Sequence, residues 1–232
     1  MKQKIVWGIV IFLAILILAI VLLKSFWQDK LVRSVSSINE AKAESFIPAS
    51  SPTVSADEKI IGSIQAPVKI LVYEDYNNLF SAELASTLSI IKEEFGDKVA
   101  VAVRPFVLRN NVASMEAAMA IECSVADGNW VEMRSVIFSA VTNHDFSAEK
   151  IAQEVDRQGL DKAKFNECLT SLEKQGLMLQ VAENAKDFSV YGAPTIFVGN
   201  ELVIGARPYG DYEDETGTKV EGLKSLVERQ LK

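Results

Sequence analysis

The longest unbroken pattern in the chain is apolar: Ile5 to Leu23 carries no charged residue. A run of that length matches one helical crossing of a bilayer. From Ser34 to Lys59 the pattern dissolves into Ser, Ala and Pro, with Ser50-Ser51-Pro52 at the centre and no sustained apolar period. That composition predicts a flexible tether. Asp29 to Ala43 has too few apolar positions to pack well as a helix.

Regular patterning starts near Ile60. Val68 to Tyr73 is a short β-rich run, which predicts a strand buried on both faces. Leu84, Leu88, Ile91 and Phe95 then recur at helical spacing, so Leu79 to Phe95 reads as a helix stopped by Gly96. Val99 to Phe106 returns to strand character. Strand, helix, strand predicts a right-handed crossover between parallel strands. Five candidate helices follow: Ala113 to Ala126, Trp130 to Val141, Ser147 to Arg157, Lys162 to Leu172 and Leu177 to Phe188. Ser147 is a good N-cap, and Gly159 and Gly176 punctuate the series. Thr195 to Val198 and Glu201 to Ile204 flank Gly199-Asn200, the signature of a hairpin. Val220 to Leu231 places Leu223, Leu226, Val227 and Leu231 on one face of a closing helix. The order βαβ, helical block, ββα predicts an α/β domain with a mixed sheet.

The flanks of the apolar run favour an uncleaved anchor. Lys2 and Lys4 precede it, Lys24 follows, and Trp27 stands at the exit as an interface anchor. Lys24-Ser25-Phe26-Trp27 is a poor cleavage site for a signal peptide, the rival reading. Lys24, Lys30 and Arg33 nearly balance the charges on the other side, so the positive-inside rule does not set orientation. The expected division is an anchor over residues 1–27, a linker over 28–59 and a domain over 60–232, with the helical insertion at about 107–190.

Charge narrows the functions. A net charge of -7 argues against a nucleic-acid partner, which needs clustered Lys and Arg. One histidine and two cysteines are too few for a zinc or iron–sulfur centre built from those ligands, so no metal and no cofactor is expected. The acidic run Asp211, Glu213, Asp214, Glu215 does not match a calcium loop and reads as solvated.

Several stretches together resemble the DsbA-like thiol-disulfide oxidoreductases, which carry a thioredoxin fold with a helical insertion. Ala66-Pro67-Val68-Lys69-Ile70-Leu71-Val72-Tyr73-Glu74-Asp75-Tyr76-Asn77-Asn78-Leu79-Phe80-Ser81 is similar to the first strand and active-site turn of that family. Tyr191-Gly192-Ala193-Pro194-Thr195-Ile196-Phe197-Val198 resembles its cis-proline loop, with Pro194 as the proline. Ala117 to Cys123 and Phe165 to Leu169 look like inserted helices, and Val203 to Tyr209 like the end of the last strand. The likeness runs from about Ile61 to the C-terminus and implies a thioredoxin-like fold. The departure is at the centre. Where the family carries C-x-x-C, this chain has Asn78 and Ser81, and Leu79 replaces the usual proline.

Disulfide exchange needs a thiolate, acidified at a helix N-terminus. The Asn78 amide cannot be that nucleophile, though it can cap the helix. Ser81 has a hydroxyl but no base beside it in sequence, so no catalytic residue is assigned. His144, in a polar loop, reads as solvated. By resemblance, Cys123 and Cys168 form a second, structural disulfide; two buried thiols are the alternative. In active relatives a groove beside the cis-proline binds extended peptide. Its candidates here are Tyr76, Leu79, Phe80, Ala193 and Pro194, against the alternative that Phe80 and Pro194 only pack the scaffold.

The expectation is a single-pass, membrane-anchored, extracytoplasmic domain that has lost redox chemistry and acts as a binding or chaperone-like module for unfolded or extended polypeptide. Two alternatives stay open. One is an oxidoreductase using Cys123 and Cys168, or a partner's thiols. The other is a structural subunit of an envelope complex.

Overall fold

The computed structural model describes residues 50–232. The apolar segment Ile5 to Leu23 and most of the expected tether lie outside them. Among the described residues no helix is long and apolar enough to cross a membrane.

The chain lays down β1 (Lys59–Ile61), β2 (Val68–Glu74), α1 (Leu79–Phe95), β3 (Val99–Pro105), α2 (Val112–Cys123), α3 (Trp130–Thr142), α4 (Ala148–Gln158), α5 (Lys162–Leu169), α6 (Leu172–Ala185), β4 (Thr195–Val198), β5 (Glu201–Ile204), β6 (Tyr212–Glu213), β7 (Lys219–Val220) and α7 (Leu223–Gln230). Five strands form one sheet in the order β1-β3-β2-β4-β5. β2 and β3 are parallel, with Glu74 opposite Pro105. β4 runs antiparallel to β2, with Tyr73 opposite Thr195.

β2 is central because both its faces are apolar. Ile70 and Val72 enter a core with Leu84, Leu88 and Ile91 of α1. Leu71 and Tyr73 enter a second core with Phe197 and Ala182. This is the burial that a non-alternating strand requires. A one-residue slip would exchange the two cores, so the register is tightly held.

Several boundaries differ from the sequence pattern. Gly176 does not stop a helix; it lies inside α6, which starts four residues earlier than it does, at Leu172. Ser171 caps that start by accepting from the Lys174 N–H. A good cap and a buried face at Met178 and Ala182 outweigh the ~1 kcal/mol that an interior glycine costs. The closing helix starts at Leu223, not Val220. Its first N–H groups are taken by carbonyls of the preceding loop: Leu223 N–H by Pro208 and Lys224 N–H by Tyr209. Gly222 sits against Gly210, and a Cβ there would fall 2.3 Å from the Gly210 backbone. The acidic loop is partly folded as the β6–β7 hairpin.

Residues 52–59, which the sequence pattern assigned to the tether, lie along the domain. Pro52 is buried and Val54 packs on the second core. Arg104 of β3 donates to the Thr53 carbonyl and to both carboxylate oxygens of Glu58. β1 adds an edge to the sheet beside β3.

Candidate functional site

β2 and β3 leave the sheet side by side, and the chain entering β4 arrives at the same end. Three segments therefore meet there: the turn into α1, the loop between β3 and α2, and the loop before β4.

The turn into α1 is built from local polar bonds. The Asp75 carboxylate accepts from the Asn77 N–H at 2.9 Å and from the Ser114 hydroxyl at 2.5 Å. Asn78 has extended backbone and caps α1, its Oδ1 accepting from the N–H groups of Phe80 at 2.9 Å and Ser81 at 3.1 Å. Both donors require an oxygen there, so the Asn78 NH2 must point away from the helix. It has no acceptor among the described residues, and the residue is half-exposed. Ser81 is fully buried, and its hydroxyl accepts from the Asp75 N–H. A hydroxyl with no exposed surface is no nucleophile for a macromolecular substrate. His144 lies exposed in the turn after α3, with φ +56°, and shares no bond with Ser81.

Of the groove candidates, Leu79 and Phe80 are exposed at 47% and 62%. The Ala193–Pro194 bond is cis. Pro194 is buried and its carbonyl accepts from Gly205, while Ala193 is half-buried and joins the second core at its edge. Among the described residues, no backbone hydrogen bond involves Ala193. Tyr76 is a correction: at 1% exposure it offers no surface to a ligand. It packs against Phe138 of α3 because the insertion closes over it. Burial pushes its phenol well above the ordinary range, with the Glu74 charge adding to the effect, and its hydroxyl has no partner among the described residues.

Three exposed apolar residues escaped the sequence pattern. Leu108, Val112 and Tyr191 are 58%, 80% and 74% exposed at the same end of the sheet. They lie in loops or at a helix start, where no periodicity marks a face. With Leu79 and Phe80 they leave this end unusually apolar. Isolated surface residues of this kind are ordinary; several at one end of a sheet make that end the candidate binding surface.

Behind this surface lies a buried ion pair. Glu74, fully buried, accepts two bonds from Arg134 of α3, at 2.8 and 2.5 Å. The guanidinium also lies 4.9 Å from the Phe138 ring centroid. Burial lowers Arg134's basicity, but Glu74 outweighs it and the net shift is upward. A second pair holds the N-terminal segment. Burial works to raise the Glu58 carboxyl, yet the bonds from Arg104 and from the Ser55 N–H hold it below the usual carboxylate range.

The two cysteines of the chain are bonded to each other, Cys123 of α2 to Cys168 of α5, with Cα atoms 5.8 Å apart. Cys123 is 8% exposed and Cys168 half-buried. Among the described residues no group of three His, Cys, Asp or Glu side chains could hold a metal. Asp211 accepts from the Gly222 N–H, and that bond, with one from Ser225, holds its carboxyl below the usual range. Asp214 accepts from the N–H groups of Thr216 and Thr218. Those two carboxylates serve the loop's own backbone.

A family model described as thioredoxin matches residues 53–215. No curated protein matches the chain. Among solved structures, the chain is similar to a periplasmic thioredoxin-like protein from Salmonella enterica serovar Typhimurium, with 20% identity and a TM-score of 0.59 over 75% of this chain and 90% of that one. It is similar to the catalytic domain of Proteus mirabilis ScsC, with 18% identity and a TM-score of 0.59 over 76% and 90%. Wolbachia pipientis α-DsbA1 matches with 15% identity and a TM-score of 0.58 over 77% and 94%. Likenesses at these identities establish the fold.

Proposed function

We propose that this chain, which belongs to the thioredoxin family, binds extended polypeptide at the end of its sheet without thiol chemistry. One observation carries the reading. The residues at the two redox positions, Asn78 and Ser81, are bonded into the turn, while the side chains around them, Leu79, Phe80 and Tyr191, are exposed and apolar. Beside them Ala193 keeps a backbone N–H and carbonyl without partners. An extended segment pairs with such a backbone edge and seats its apolar side chains alongside. The outward NH2 of Asn78 adds a donor for a peptide carbonyl.

The domain works outside the cytoplasm, held to the membrane by Ile5 to Leu23. The disulfide, the uncharged run and the periplasmic description of a structural neighbour all support this placement. An oxidoreductase using Cys123 and Cys168 is the competing reading. The near-complete burial of Cys123 weighs against it, since exchange needs an accessible sulfur.

The test is binding of an unfolded, cysteine-free polypeptide to the full chain held in amphipol, read by fluorescence anisotropy. Wild type binds saturably, and Phe80→Ser weakens binding about tenfold, a loss of ~1.4 kcal/mol. Asn78→Asp keeps an oxygen for the cap but removes the outward donor, so it weakens binding without lowering stability. Absence of saturable binding by wild type would overturn the reading.

A further inference from the structure

A groove of about 520 Å³ runs between α1 and α3, and none of Leu79, Phe80, Tyr191 or Ala193 lines it. It exists because the facing side chains are short. Ala82, Ala85, Ser86 and Ser89 recur along one face of α1, opposite Ser135 and Ser139 of α3. Such side chains cannot close the space between two helices, and the groove reaches down to Ile61 of β1 and Val101 of β3, which are register partners. Leu88 and Phe138 add apolar floor.

Three of the polar side chains on the walls are satisfied within their own helices. Ser86, Ser89 and Thr142 donate their hydroxyl protons to carbonyls one turn back in their own helices. Charge is one-sided. Lys92 and Arg134 line the groove and no Asp or Glu does, although the chain holds 31 acidic residues against 24 basic. Arg134 is neutralised by Glu74, whereas Lys92 has only a long, solvent-exposed ion pair with Asp97, outside the groove lining. Its ammonium donates to the Gly96 carbonyl at 2.5 Å, and Asp97, fully exposed, lies 4.0 Å away. An ammonium has three protons, so donors remain for a ligand.

We propose that this groove binds a single aliphatic chain ending in a carboxylate, with the carboxylate on Lys92 and the chain laid along Leu88 and Phe138 toward Val101. The volume falls within the range of small-ligand sites, roughly 300–1,000 Å³. It is too small to enclose a partner helix. A helix about 10 Å wide and rising ~1.5 Å per residue would place only about four residues in it.

The experiment is photo-crosslinking of the full chain in amphipol with a long-chain carboxylate bearing a terminal diazirine, mapped by mass spectrometry. Labelling is expected in the segments Ala82 to Lys92 and Val131 to Asn143. Dodecanoate should compete and dodecan-1-ol should not. Lys92→Gln should reduce this labelling about tenfold through loss of a charge-assisted bond. Ser139→Phe, at an exposed position, should fill the groove and abolish it with the fold intact by circular dichroism. Labelling that ignores Ser139→Phe, that falls only on Leu79, Phe80 or the apolar N-terminal run, or that an amphipathic helical peptide displaces but dodecanoate does not, would overturn the proposal.

Discussion

Two regions of this molecule could have carried thiol chemistry, and they differ in opposite ways. The start of α1 has access without sulfur: Leu79 and Phe80 are exposed, and Asn78 and Ser81 hold the two key positions. The α2–α5 link has sulfur with restricted access: Cys123 is buried and bonded to Cys168, which is half-buried. A disulfide exchange site needs a thiolate that a substrate can reach, so each region is short of one half of that requirement. The separation points to a division of labour. On the function proposed above, one region supports the fold and the other faces a partner.

The division fails if disturbing the support also destroys the surface by a route other than unfolding. The largest expected effect is at Arg134. Arg134→Ala leaves the Glu74 carboxylate buried without a partner, which should cost about 3–5 kcal/mol by chemical denaturation. Because this pair ties α3 to the end of β2, the loss should appear as a lower denaturation midpoint. A variant as stable as wild type would show that the pair is not a tie. Next is the disulfide. Cys123→Ser with Cys168→Ser opens a link across 45 residues, worth about 4 kcal/mol in the chain-entropy model. Peptide affinity measured below the unfolding transition should stay unchanged. A parallel loss of affinity in the folded variant would join the two regions functionally.

How much of this was open to the sequence depends on how local the cause is. β2, α1 and the β4–β5 hairpin were legible because their apolar spacing and turn residues act within the segment. The cap at Asn78 was legible for the same reason. Tyr76 was misread because its burial comes from Phe138, 62 positions away, and no local pattern announces that closure. The Glu74–Arg134 pair was invisible for the same cause, since each residue alone looks like an ordinary charge. β1 was missed because three residues carry no period and form a strand only by pairing with β3. Gly176 misled because a stop signal was weighed without the cap at Ser171.

The smallest expected effect is a pH response in the N-terminal segment. The folded Glu58 carboxyl titrates below its unfolded value of about 4.3. Its contribution is therefore fully present above that value and is lost as pH falls through the lower, folded one. Protection of the Lys59–Ile61 amides, taken relative to their intrinsic exchange rate at each pH, should fall in wild type as pH drops below about 4. In Glu58→Gln protection should already be lower at neutral pH and respond less to acid. An identical pH response in both proteins would remove Glu58 from the account.

The most direct test of the central claim is a redox titration of the Cys123–Cys168 bond in the full chain, with thiols trapped by alkylation and counted by mass. The account predicts that the bond survives until potentials below about −300 mV, as structural disulfides do. Ready exchange between about −120 and −270 mV, the span of working oxidoreductases, would contradict it and move the chemistry to the α2–α5 link.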